Sequence, residues 1–381
     1  MTTLETTSPT GKLDLRKKEE REAIAVSPTQ LIWRRFLRNR MAVVSAGFLV
    51  LLYLSAIFAD FLSPVHFNTK SEDHIFLAPQ RPHFFDQAGN FHLRPFVYGL
   101  ETTLDMETFR WVHEPNYDEV YPIQFFVKGF EYKILGLIPA DRHLYGVEAP
   151  GIVYLLGSDS LGRDMVARIF AGARISLTIG LVGVILTIFF GSVLGTISGY
   201  YGGIVDTMIQ RVIEFLMSFP AIPLWAALAA AMPPNWSPLQ RFFTISVILS
   251  LIQWTGLARQ VRAKVLSYRE MDYTTAARSA GAKDSRIIFR HMLPNAFSHI
   301  IVVATLAIPG MILAETALSF LGLGIQPPQT SWGVLLQEAQ FVSVLVQQPW
   351  LLIPAFFVIA TVLSFNFVGD GLRDAVDPFS I

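Results

Sequence analysis

Met41 to Ala59 is an unbroken run of 19 uncharged residues, enough for a helix rising about 1.5 Å per residue to cross the hydrocarbon core of a bilayer. Five further runs have the same character: Ile175 to Tyr200, Phe215 to Met232, Phe242 to Ala258, Ile300 to Gly324 and Trp350 to Val368. A bilayer offers no water to its interior, so each run must satisfy its own backbone N–H and C=O groups, which a helix does within a single segment. The chain therefore reads as an all-α polytopic membrane protein with six transmembrane helices. Its composition agrees, since only 16% of the 381 residues are charged, against about a quarter in a soluble domain.

The distribution of charge sets the expected topology. Lys+Arg and Asp+Glu both number 30, so there is no overall basic field to capture nucleic acid. With no cysteine in the chain, disulfides, thiolate metal sites and cysteine nucleophiles are excluded. Arg34, Arg35, Arg38 and Arg40 crowd the N-terminal side of the first run, which places the N-terminus in the cytoplasm, and six crossings return the C-terminus there. The segment 259–291 then falls inside, and it carries eight Lys/Arg against Glu270, Asp272 and Asp284. The expected organisation is a disordered cytoplasmic tail at 1–27, a basic flank and first crossing at 28–62, and an extracytoplasmic insert at 63–172. A five-helix core follows at 173–369 with a cytoplasmic loop at 259–295, then a C-terminal tail at 370–381.

Within the insert, Glu119 to Leu135 is rich in aromatic and β-branched residues around Lys128-Gly129. That pattern suits a β-hairpin, either as part of a strand-containing lid or as a packed loop. Gly191, Gly195 and Gly199 recur every four residues on one face of the second crossing, as a close helix contact requires; a glycine-weakened bend is the alternative. Glu315 lies midway through the fifth crossing, where an ionised carboxylate facing lipid costs about 2.5 kcal/mol or more. It either lines a translocation path or hydrogen-bonds a neighbouring helix, and the absence of titratable partners for a relay favours the second. Asp206, Arg211 and Glu214 precede the third run, and Arg211 and Glu214 are spaced to pair on a helix face.

The loop from Tyr273 to Asn295 reads YTTAARSAGAKDSRIIFRHMLPN, two short helices around Gly281. Ala276, Ala277, Ala280 and Gly281 leave one surface nearly bare for another protein to seat upon. Gly281 permits the chain reversal and Pro294 stops the second helix. His291 has no acid or base partner of obvious geometry and reads as a packing or capping residue.

This loop resembles the EAA motif of the permeases of ABC importers, in which Glu-Ala-Ala, a later glycine and a terminal Leu-Pro mark a coupling helix. The corresponding residues here are Thr275, Ala276, Ala277, Gly281, Leu293 and Pro294, with Thr275 replacing the glutamate. The stretches WRRFLRNRMA (33–42), LGSDSLGRDMVARIFAGARISL (156–177), SGYYGG (198–203), SFLGLGIQPPQTSWG (319–333) and FNFVGDGLRDAVDP (365–378) are similar to the dipeptide/oligopeptide/nickel permease family. The long insert is similar to the branch that takes up microcin and larger oligopeptides.

The resemblance implies a MetI-like bundle that moves peptides by alternating access. It implies as partners a homologous second permease subunit, two ATPase subunits that bind ATP and Mg, an extracytoplasmic solute-binding protein and membrane lipid. No cofactor is expected on this chain, which has no Gly-Lys-Ser/Thr phosphate loop and is not expected to be an enzyme. Oligosaccharide or nickel remain alternative cargoes, although no crossing holds a His or Met cluster suited to a transition metal. An ion-coupled secondary transporter and a membrane-anchored structural protein are alternatives of other classes. The first would call for paired acids or an inverted repeat within the crossings, and the second leaves the loop unexplained.

Overall fold

The computed structural model describes residues 28–106 and 110–376; the expected tail at 1–27 lies outside them. Helix α1 (Pro28–Arg38) leads into α2 (Arg40–Ile57). The break between them is held by Asn39, whose side chain accepts from the Ala42 N–H at 3.1 Å as an N-cap. A short helix, α3 (Ala59–Leu62), precedes the insert.

The insert holds five strands: β1 (His83–Phe85), β2 (Phe91–Asp105), β3 (Arg110–Pro122), β4 (Gln124–Ile134) and β5 (Ile138–Gly146). They form an antiparallel sheet in the order β1-β2-β3 and a separate β4-β5 hairpin. The expected hairpin over 119–135 is therefore corrected. That run ends one strand and forms another, and the turn lies at Leu135–Leu137 instead of Lys128-Gly129. At Gly129 the ladder is irregular, and a Cβ there would stand 2.5 Å from the His143 ring. This glycine marks the close approach of a ring to the strand.

The bundle is built from α4 (Met165–Tyr201), α5 (Gly203–Met217), α6 (Ala221–Ala230) and α7 (Pro238–Arg269). It is completed by α8 (Asp272–Ser279), α9 (Asp284–Arg286), α10 (Leu293–Phe320), α11 (Trp332–Glu338), α12 (Val342–Gln347) and α13 (Ile353–Val376). Among the described residues five helical segments are long and apolar enough to cross a membrane alone, and α5 with α6, bent by 82° at their junction, make a broken sixth crossing or a re-entrant loop. The run Phe215 to Met232 is thus not one straight helix. Pro220, which lacks an N–H and disfavours helix in the residue before it, breaks it between Met217 and Ala221.

The core joins Leu49 of α2, Leu177 of α4, Leu249 of α7, Met311 of α10, Trp332 of α11 and Val358 of α13. Along the α4–α7 seam, a Cβ at Gly191 would meet Leu257 at 2.9 Å, one at Gly195 the Ala258 carbonyl oxygen at 2.5 Å, and one at Gly199 the Arg262 carbonyl oxygen at 2.8 Å. Backbone against backbone at this range maximises dispersion contact where lipid gives burial little value.

Replacing Gly195 by alanine should force the seam apart and lower the thermal unfolding midpoint of the detergent-solubilised protein, the overpacking costing about 1–3 kcal/mol. Gly256 on α7 has open space around its Cβ position, so Gly256→Ala should hold or raise that midpoint. Equal midpoints for the two variants would refute the close seam.

Candidate functional site

At the end of the bundle where α4 and α7 finish, α8 turns out of the core. Thr274 is its one buried residue, and its Oγ1 donates to the Tyr268 carbonyl at 2.8 Å, tying the helix to the last turn of α7. The C-terminus of α8 closes as a Schellman motif, with Ala282 N–H donating to Ala277 O at 3.1 Å and Gly281 N–H to Arg278 O at 3.0 Å. Gly281 takes the left-handed conformation this cap requires, with φ at 75°.

Thr275, Ala276, Ala280 and Gly281 are exposed, while Ala277 is half-buried and faces the cluster of Ile287, Ile288 and Met292 below. No neighbouring atom lies within 4 Å of a Cβ built on Gly281. The outward face is consequently low and unencumbered, with exposed Arg278, Lys283, Arg286 and Arg290 around it.

Two further ties hold this face to the bundle. Tyr200, at the end of α4, donates its hydroxyl to Asp284 at 2.6 Å, and the Arg278 guanidinium lies 6.0 Å from the centroid of the same ring, within cation–π range. Below, Arg262 of α7 donates twice to Asp206 of α5 at 2.6 and 2.5 Å, and Arg211 pairs with Glu214 at 2.7 Å on the exposed side of α5.

Leu293 and Pro294 open α10, and Leu293 packs against the same buried cluster as Ala277. Pro294 does not stop the second helix as expected. After α9 the chain runs through a π-helical stretch, Ile287–Met292, directly into α10, whose first turn contains Pro294. The wider stretch carries an i→i−5 bond from Leu293 N–H to Ile288 O, and a proline in a first turn lacks only a donor with little use there. Tyr200, Tyr268, Thr274 and Asp284 escaped the sequence reading as functional residues. Tyr200 sits in the SGYYGG stretch and Thr274 and Asp284 in the singled-out loop, whereas Tyr268 lies in none of the quoted stretches.

Glu315 is fully buried and accepts from Ser176 of α4 at 2.9 Å and from Ser319, one turn on, at 2.7 Å. Ser176 in turn accepts from the Trp332 N–H at 3.2 Å, and Ser319 from the Ile325 N–H at 3.1 Å. A carboxylate with its chain of hydroxyls thus joins α4, α10 and the start of α11. In this chain Glu315 is enclosed within the bundle and bonded to a neighbouring helix.

At the opposite end of the bundle, the LGSDSLGRD stretch folds into a second polar knot. Asp159 accepts from the Arg163 Nε at 2.7 Å and also pairs with Arg168, while Glu338 of α11 accepts from Arg163 at 3.0 Å and Arg168 at 2.8 Å. Asp164 caps α4 by accepting from the Val166 and Ala167 N–H groups at 3.2 and 3.1 Å. Burial, the largest influence, pushes its carboxyl up to about 6.

Residues 191–380 match the family described as binding-protein-dependent transport system inner membrane component, and residues 27–79 match the N-terminal transmembrane domain of oligopeptide transport permease C. The oligopeptide transport system permease protein OppC of Haemophilus influenzae is 42% identical over 226 residues, 59% of this chain and 70% of that one. The glutathione transport system permease protein GsiD of Pectobacterium atrosepticum is 33% identical over 353 residues, 92% of this chain and 91% of that one. A solved inward-facing MetNI methionine ABC transporter aligns with a TM-score of 0.42 and 18% identity, covering 56% of this chain and 98% of that chain.

Asp159→Ala should leave Arg163 and Arg168, with side chains 7% and 3% exposed, sharing the single carboxylate of Glu338. Removing one partner from a buried ionic cluster costs about 3–5 kcal/mol, which should appear as a large drop in the thermal midpoint. Arg211→Ala, which breaks an exposed pair, should change stability by about 1 kcal/mol or less. A midpoint for Asp159→Ala within error of the wild type would show that the cluster contributes nothing to stability.

Proposed function

Since the chain belongs to the binding-protein-dependent transport system inner membrane component family, we propose that it is the permease subunit of an ATP-driven importer moving peptides inward across a cytoplasmic membrane. The bare face of α8 carries the mechanistic part of this reading. It is small in side chains and anchored to both α4 and α7, so a partner that seats on it can move two crossings together. That partner is an ATPase subunit, which supplies the nucleotide and Mg chemistry. This chain's contribution is to receive a displacement at Thr275, Ala276, Ala277, Ala280 and Gly281 and pass it through Tyr200 and Thr274 to the bundle.

Such coupling requires the ATPase to contact the loop differently in two states of the bundle. The crossings then expose a central cavity, shared with a homologous second permease subunit, to one side of the membrane and then the other. A solute-binding protein delivers peptide at the end that carries the insert. Both termini lie in the cytoplasm, consistent with Arg34, Arg35, Arg38 and Arg40 before the first crossing and with the cationic rim of the loop. Peptide is the cargo in this proposal because relatives named for oligopeptide and glutathione transport are similar over most of their length.

The absence of cysteine from the chain makes the docking testable. Ala276→Cys should cross-link to a co-expressed ATPase subunit through a short bifunctional reagent. Ala276→Arg, an exposed substitution that a helix accepts readily, should leave the chain in the membrane and abolish substrate-stimulated ATP hydrolysis, as should Gly281→Asp. A thiol at 276 that links to no ATPase, with stimulation intact in both other variants, would overturn the assignment.

A further inference from the structure

The β4-β5 hairpin descends beside the first crossing. At its base, a Cβ on Gly146 would lie 3.5 Å from Pro64. One step down, the His143 Nδ1 is 2.8 Å from the carbonyl oxygen of Asp60, and the Phe126 ring stands 6.2 Å from that of Phe61. Near the tip, Ile134 lines an open groove of about 480 Å³ together with Leu51, Leu54, Ser55, Phe58, Phe61 and Leu62. The partners thus move from Pro64 back to Leu51 as β4 advances, so the hairpin runs antiparallel to α2 and toward its middle.

Leu51 lies six residues before the end of α2, about 9 Å along the helix axis. An 18-residue helix is about 27 Å long and scarcely spans a hydrocarbon core of about 30 Å, so its final turns are already at acyl or headgroup depth. Leu51 is 67% exposed on the outside of the bundle.

The chain of the hairpin turn is apolar from Ile134 to Ala140, and Leu135, Leu137 and Ile138 are 70%, 80% and 62% exposed. Lys133 stands exposed immediately above them, where an ammonium can reach lipid phosphate. The turn satisfies part of its own backbone, with Gly136 N–H donating to Lys133 O at 3.2 Å and Leu137 N–H to Ile134 O at 3.0 Å. The outer edges of a two-stranded hairpin are unpaired, however, and cannot enter dry hydrocarbon. This limits penetration to the boundary between headgroups and acyl chains, about 5–10 Å deep.

We propose that the tip of the β4-β5 hairpin, Leu135 to Ile138, inserts into the outer leaflet as a lipid anchor that fixes the insert against the membrane beside α2. The proposal rests on the chain spanning a membrane and is independent of what is transported.

The cysteine-free chain permits single nitroxide labels at Leu135→Cys, Leu137→Cys, Val50→Cys and Leu93→Cys, in the full chain with its co-purifying subunits, reconstituted in phospholipid vesicles. Collision with oxygen, which concentrates in acyl chains, is compared with collision by a water-soluble nickel chelate. Labels at 135 and 137 should favour oxygen over nickel several-fold relative to Leu93, an exposed residue of β2, and resemble the label at Val50. Nickel access at 135 and 137 equal to that at Leu93 would overturn the anchor. Immobile labels reached by neither reagent would overturn it too, by showing a second protein subunit over the tip. Nickel access at Val50 would instead refute the crossing by α2.

Discussion

The seam between α4 and α7 is the contact on which the rest of the molecule depends. Because Gly191, Gly195 and Gly199 present no side chain, the two longest helices of the bundle approach to backbone contact, and their ends emerge side by side. Only then can Tyr200 from one meet Arg278 of α8 and Asp284 of α9 while the Tyr268 carbonyl of the other holds Thr274. In water such a seam would gain mostly from burial of apolar area. Against lipid tails it gains from contact itself, which decays steeply with separation, so the seam tolerates no added atoms at its narrowest point.

Much of this architecture was legible in the sequence because the bilayer acts on local properties. Runs such as Met41 to Ala59 need no tertiary information to be recognised, and the four-residue glycine spacing named the face on which α4 is approached. The bare surface around Ala276 and Gly281 was equally visible, since it is defined by side chains that are missing.

What escaped reading depended on distant partners. The expected insert ran to 172 and the second crossing began at Ile175, yet the helix begins at Met165, where Asp159, Glu338 and Asp60 meet the guanidinium groups of Arg168 and Arg174. The Lys128-Gly129 pair looked like a turn, whereas the glycine accommodates the ring of His143 from another strand. Pro294 looked like a stop because the sequence does not announce a π-helical turn. Glu315 could be read two ways until Ser176, 139 residues away, was placed beside it.

The π-helical stretch at Ile287–Met292 has a geometric consequence for the short helix that runs into it. One residue more than a regular turn advances the angular phase of everything before it by about 100° relative to α10. The bearing of α9 relative to α10 therefore depends on a count of residues as well as on their identity. A single deletion within Ile287–Met292 would restore a regular helix and swing α9 roughly a quarter turn about the α10 axis, against the bond that Tyr200 makes to Asp284.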